Sequence, residues 1–147
     1  MKKYLALAAV IAIVGACGAF AEVKDFGIFK ADIPAGWTAE QDGNTVGIIK
    51  DDKTASMSVT VEENDGTSLA DLAEAFRREL NGENLATDED GNAVFEFTSS
   101  SGAKSRVVLN ADEKHFALIV ITWGDNTEKE SLDEISAMID SLQFKNI

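Results

Sequence analysis

Apolar and polar positions alternate most cleanly over residues 56–62. Met57, Val59 and Val61 point one way, and Ser58, Thr60 and Glu62 point the other. A period of two predicts an antiparallel strand with one face in solvent. Residues 115–123 follow another pattern: Phe116, Ala117, Leu118, Ile119, Val120 and Ile121 are apolar without a break. A strand that is apolar on both faces is covered on both, so this one is expected at the centre of the sheet. Further strands are expected over residues 26–33, 45–50, 93–99 and 104–110. They are separated by turn-forming stretches, among them Pro34-Ala35-Gly36-Trp37, Asp42-Gly43-Asn44, Asp51-Asp52-Lys53 and Asp112-Glu113-Lys114. Residues 88–92 and 100–103 supply the remaining turns.

Twice the period lengthens to that of a helix. Leu69, Leu72, Ala73, Phe76 and Leu80 form one apolar stripe behind Ser68, which is placed to cap it with Asp71 three residues on. Glu74 and Arg78 are spaced to pair on the outer side, and Asn81-Gly82 supplies a left-handed stop. A second stripe, Leu132, Ile135, Ile139 and Leu142, follows Thr127 and Glu130, which have capping-box spacing. Residues 141–144 then form a short extended tail that packs back. These elements predict an α+β domain: an antiparallel sheet of about six strands with two main helices.

The first 21 residues read differently. Lys2 and Lys3 precede an uncharged, mostly apolar run over residues 5–14, and Ala19-Phe20-Ala21 leads into polar sequence at Glu22. This is the pattern of a secretory signal peptide, over residues 1–21, with a single domain over residues 22–147. The apolar run is about half the roughly 20 residues a membrane-spanning helix needs, so no transmembrane helix is expected. A periplasmic or secreted product is therefore expected. A second processing route stays open. Cys17, the one cysteine, follows Val14-Gly15-Ala16 and resembles a lipoprotein acylation site, whereas cleavage after Ala21 discards it.

Cleavage after Ala21 leaves 126 residues with 11 basic and 26 acidic side chains, a formal net charge of −15. Such a surface repels phosphate backbones and excludes nucleic acid as a partner. Basic peptides and divalent cations are compatible with it, and the charge itself keeps an exported domain soluble and monomeric. A chain of this length buries enough surface to fold without a metal or a disulfide.

The chemistry-bearing residues do not assemble into a motif. His115 is the one histidine, and neither HExxH nor a Cys/His cluster is present, so it reads as a surface or rim residue. No serine sits in G-x-S-x-G, and Ser99-Ser100-Ser101-Gly102 reads as a hairpin loop. Asp88-Glu89-Asp90-Gly91-Asn92 opens like a calcium loop but has Ala93 where glycine is needed and Ser99 where a bidentate Glu is needed. Gly102-Ala103-Lys104-Ser105 lacks the upstream glycine of a phosphate loop. Trp37 and Trp123 read as core or rim aromatics, with stacking on sugar or peptide as the alternative. No catalytic, cofactor-binding or metal-binding residue is assigned, and no cofactor is expected.

The order of elements carries a resemblance. A strand running into Ile33-Pro34-Ala35-Gly36-Trp37, alternating strands around one amphipathic helix, and a closing helix with Ile135, Ile139-Asp140-Ser141-Leu142-Gln143-Phe144 resemble the PsbP-like superfamily over residues 26–144. That group includes photosystem II extrinsic subunits, a Ran-binding import factor, and small bacterial exported proteins and lipoproteins similar to DcrB. The resemblance implies an α/β/α sandwich around a twisted antiparallel sheet. It also implies a non-enzymatic accessory or binding role, with no family binding residue matched here. The expected function is an exported, non-catalytic binding or accessory protein of the bacterial cell envelope, with an unidentified protein or peptide partner. The alternatives are a carboxylate-based hydrolase of envelope polymer and a weak divalent-cation-binding module.

Overall fold

The computed structural model of the chain describes residues 21–145; the leader up to Phe20, with Cys17, lies outside the described residues. The elements run β1 (Ala21–Asp25), β2 (Phe29–Pro34), β3 (Trp37–Asp42), β4 (Thr45–Lys50), β5 (Ala55–Glu63), α1 (Leu69–Glu79), β6 (Glu83–Thr87), β7 (Ala93–Thr98), β8 (Lys104–Ala111), β9 (His115–Trp123), α2 (Lys129–Ser141) and β10 (Gln143–Phe144). Seven strands make one antiparallel sheet in the order β3-β4-β5-β9-β8-β7-β6, and β1-β2-β10 make a second, small one. The α+β class expected from the sequence is the class observed, with more strands than the six the periodicity marks.

β9 is the middle strand of the seven, as its unbroken apolar run requires. The strand expected over residues 26–33 begins later, at Phe29. Asp25 turns the chain first, its Oδ1 accepting the Gly27 N–H at 2.9 Å. β10 is the expected tail; it pairs with β2 at Lys30 and Phe29.

α1 begins as its sequence indicates: the Ser68 hydroxyl accepts the Asp71 N–H at 3.2 Å. It ends with Asn81 at φ 55° in the left-handed region. Gly82 follows because nothing larger fits: a Cβ there would lie 2.4 Å from Cδ2 of the buried Phe95 ring. The capping box expected at the second helix does not form. Thr127 uses its hydroxyl otherwise, accepting the Gly124 N–H at 2.9 Å and donating to the Thr54 carbonyl, so it ties the start of α2 to the β4–β5 turn. Glu128 occupies the cap position with no side-chain hydrogen bond to the helix.

The two helices pack on opposite faces of the large sheet and on opposite halves of it. α1 lies over β6, β7 and β8. Its Ala73 is buried with Ala93, Leu109 and Phe116, and the Phe76 and Phe116 rings sit 5.7 Å apart. α2 lies on the other face with β2. Ile135 and Met138 are buried there with Phe29, Ile33, Val46, Ile48, Met57, Val59, Ile119 and Ile121. Phe29 and Met138 are fully buried, which makes this the main core.

This diagonal arrangement leaves two quadrants of the sheet without a helix. The consequence is visible along one cross-strand row. Phe95, Val107, Val120, Ser58, Gly47 and Glu40 are successive partners on five ladders, so all point to the α1 face. Phe95 and Val107 are buried beneath α1; Val120, Ser58 and Gly47 are half-buried, and Glu40 is exposed.

Candidate functional site

The larger open quadrant is a groove of about 770 Å³ on the α1 face. Its floor is built by strand register from Gly47 and Ile49 of β4, Ser56 and Ser58 of β5, and Val120 and Thr122 of β9. None of these side chains titrates. Gly47, Ser56, Ser58 and Thr122 are the small or polar positions of strands whose other positions fill the main core, and Ile49 and Val120 add aliphatic surface between them. Hydroxyl pairs edge the floor: Ser105 with Thr122 at 3.0 Å, and Thr45 with Thr60 at 2.9 Å. Ile49 is 41% exposed, one of two exposed large hydrophobic residues among the described residues.

Four acids border the floor on one side and at one end. Glu40 and Asp42 of edge strand β3 pair in register with Gly47 and Thr45, so they share the face and border it on one side. Asp52 and Asp125 line one end. Lys53 is the cation on this lining. Asp52 is held ionised, with its carboxyl below the ordinary range. The Thr54 hydroxyl donates to it at 2.7 Å and the Thr54 N–H at 3.0 Å.

The second open quadrant is a cavity of about 270 Å³ between β8 and the end of α2. Val108, Asn110, Ile139 and Phe144 line it, and Asn110 donates a side-chain hydrogen bond to Asn92 there.

The residues weighed from sequence lie apart from one another. His115 opens β9 and is half-buried, and its backbone N–H donates to Asp112 Oδ1 at 2.7 Å. Its Nδ1 is buried with no hydrogen-bond partner, so the nearby carboxylate does not orient the ring as a catalytic triad requires. Asp88 spends its carboxylate on its own turn, accepting the N–H groups of Asn92 and Asp90 at 2.9 Å each and the Asn92 amide at 3.2 Å. Among the described residues no three His, Cys, Asp or Glu side chains are grouped to hold a metal ion. Ser99 and Gly102 close a hairpin, the Gly102 N–H donating to the Ser99 carbonyl at 2.9 Å.

Both tryptophans face the main core. Trp37 is buried in it, with Lys50 Nζ 5.6 Å from the ring centroid and bound to Glu134 at 3.1 Å. Glu134 holds the Lys50 ammonium above its ordinary pKa. Trp123 pairs in register with Ala55, so its ring points away from the groove floor although the residue lines one end.

Asp25, Asp52, Asp65, Glu74, Asp88 and Asp112 are each held below the ordinary carboxyl range. Amide, hydroxyl or cationic donors hold each one: Gly27 at Asp25, Thr54 at Asp52, Thr67 at Asp65, Arg77 at Glu74, Asn92 at Asp88 and His115 at Asp112. A general acid needs the opposite shift.

No motif marks the groove in the sequence, because each floor residue looks like an ordinary solvent-facing strand position. A signal was present all the same. In a chain with 27% charged residues, Thr54, Ser56, Ser58 and Thr60 are four successive outward positions without a charge.

No protein-family model matches the chain, and no curated protein matches it in sequence. Its fold has relatives among solved structures. Cyanobacterial PsbP (CyanoP) from Synechocystis superposes with a TM-score of 0.62 at 12% identity, over 86% of this chain and 93% of that one. A Bacteroides thetaiotaomicron crystal structure superposes with a TM-score of 0.57 at 13% identity, over 87% of this chain. The chain spans about half the length of the Bacteroides protein, 48% of it. The chain thus has the PsbP-like fold, and at these identities the likeness extends to fold alone.

Proposed function

We propose that this protein is an exported, non-catalytic accessory protein of the bacterial cell envelope, acting by binding a protein or peptide partner. The observation that carries the reading is the groove: an open sheet face whose floor bears no titratable side chain, with its two lining carboxylates, Asp52 and Asp125, confined to one end. Catalysis by general acid and base needs such groups within reach of the reacting atoms. Two further features support the reading. Asp52, at the groove, is held toward its ionised form by the Thr54 hydroxyl and N–H, and the leader pattern is that of an exported chain. Among the described residues no helix is long and apolar enough to cross a membrane.

The test is recovery of the protein from its native cell after in-cell crosslinking, followed by intact mass. The reading expects a chain beginning at Glu22, or at diacylated Cys17, in a discrete complex from the envelope fraction. An uncleaved chain recovered from the cytoplasm would overturn the location. The hydrolase alternative has its own mark. Asp52 and Asp125 are the carboxylates lining the groove, so turnover of envelope polymer abolished by Asp52→Asn or Asp125→Asn would overturn the non-catalytic role.

A further inference from the structure

We infer that the groove on the α1 face receives one amphipathic helix from a partner protein, seated with a small apolar ridge on the floor and Lys or Arg side chains over its acidic border. The inference rests on the accessory role proposed above and names its site and partner chemistry.

Three observations converge on this occupant. The first is architectural. α1 fills the helix layer over β6, β7 and β8, and the groove is the vacant part of that layer over β4, β5 and β9. A volume of 770 Å³ holds about 10 Å of a helix about 10 Å wide, or roughly two turns. Helices dock on apolar surfaces in this manner, through residues spaced three and four apart.

The second is the floor itself. Gly47, Ser56, Ser58, Val120 and Thr122 carry no charge, and Ile49 stands exposed among them. Such a surface desolvates no charge, in keeping with the depletion of charged residues at the centre of binding patches. The Ser105–Thr122 and Thr45–Thr60 hydroxyl pairs are satisfied within the sheet, and the Ser56 and Ser58 hydroxyls are left to hydrogen-bond polar side chains of the incoming helix.

The third is the border. Glu40 and Asp42 flank the floor along β3, and Asp52 and Asp125 close one end. Lys53 stands at that same end, which leaves the β3 side acidic. The uncharged centre and acidic margin complement a helix with an aliphatic or small-residue ridge and basic flanks. They reject an acidic helix, and the net charge of the domain rejects an anionic membrane.

The test is a titration of the isotopically labelled protein with a synthetic Lys/Leu amphipathic helix about four turns long, followed by amide NMR. A Glu/Leu helix of the same pattern is the control. The inference expects shifts centred on Gly47, Ile49, Ser56, Ser58, Val120 and Thr122, with affinity falling as salt rises. Ser58→Arg puts a cation on the floor and is expected to weaken binding about tenfold or more, whereas Ser58→Ala keeps it. Glu40→Gln with Asp42→Asn is expected to weaken it by a few-fold, since rim charges contribute modestly. Overturning results are shifts spread over the whole acidic surface, equal binding of the Glu/Leu helix, or wild-type affinity in Ser58→Arg. Broadening of the floor signals with protein concentration alone would make a second copy the occupant and would equally overturn it. Each of these leaves the export and accessory reading standing, since that reading is decided by native mass and location.

Discussion

Ser58 of β5 lies directly opposite Val120 of β9, and the next residue of that row, Val107 of β8, is fully buried under α1. One strand separates a covered core position from an open floor. The helix layer on this face stops in the middle of the sheet, and the fold offers a partner the place a helix would otherwise fill.

The close approach of α1 to β7 depends on one glycine. A Cβ at Gly82 would meet the Phe95 ring at 2.4 Å, and Phe95 is 1% exposed, so the ring does not yield outward into solvent. Gly82→Ala is expected to cost about 1–3 kcal/mol, as overpacking of a filled core does. Equilibrium denaturant unfolding would show it as a lower midpoint with an unchanged slope.

The main core should be more sensitive still. Met138 is fully buried between α2, β2 and the large sheet. Met138→Ala is expected to destabilise by about 2–5 kcal/mol, the range for large-to-small core changes. Thermal unfolding with the groove titration as a second readout would separate this loss from any loss of binding. The peptide affinity of the folded fraction should not change.

Removing the α1 cap gives a smaller effect. Ser68 Oγ accepts the Asp71 N–H at 3.2 Å, one of the four donors the first turn leaves unpaired. Ser68→Ala is expected to cost about 1 kcal/mol, and Ser68→Asp to retain most of the stability, in the same denaturant measurement.

Glu74 sets an acid limb in the stability profile. Arg77 grips its carboxylate with two hydrogen bonds at 2.8 and 2.6 Å, and Arg78 adds a third at 3.0 Å. These donors, Arg77 first, lower its pKa from 4.5 to about 2. A carboxyl with a depressed folded-state pKa contributes stability that is complete above the unfolded value. The contribution is lost as the pH falls from about 4.5 to about 2. Glu74→Gln should therefore lie below the wild type at neutral pH, and the two stability curves should converge toward pH 2. Parallel curves across that window would refute the assignment.

Legibility in the sequence follows how much of each element's pattern is set by the core. β9 and β5 were readable because burial on both faces, or on one, leaves a strict period. α1 and its Asn81-Gly82 stop were readable for the same reason. β6 was not. All five of its residues are exposed, and Asn84 at φ 59° breaks the ladder with β7, so no alternation is imposed. β1 and β3 are edge strands with mostly polar sequence, and only Trp37 of β3 is buried. Thr127 misled because a capping-box spacing says nothing of competing acceptors, and the Thr54 carbonyl took its proton. The groove lay hidden for a different reason. It is defined by where a helix stops in space, and only the missing charges at Ser56 and Ser58 hint at it.

Site-specific photocrosslinking in the native cell decides whether the groove is the binding surface. A benzophenone side chain would replace Ser58 on the groove floor, or Glu96, which is exposed on the opposite face of the same sheet. One discrete adduct is expected from position 58, joined to a basic amphipathic segment of its partner, and none from position 96. An adduct from position 96 alone, or the same spread of adducts from both, would contradict it.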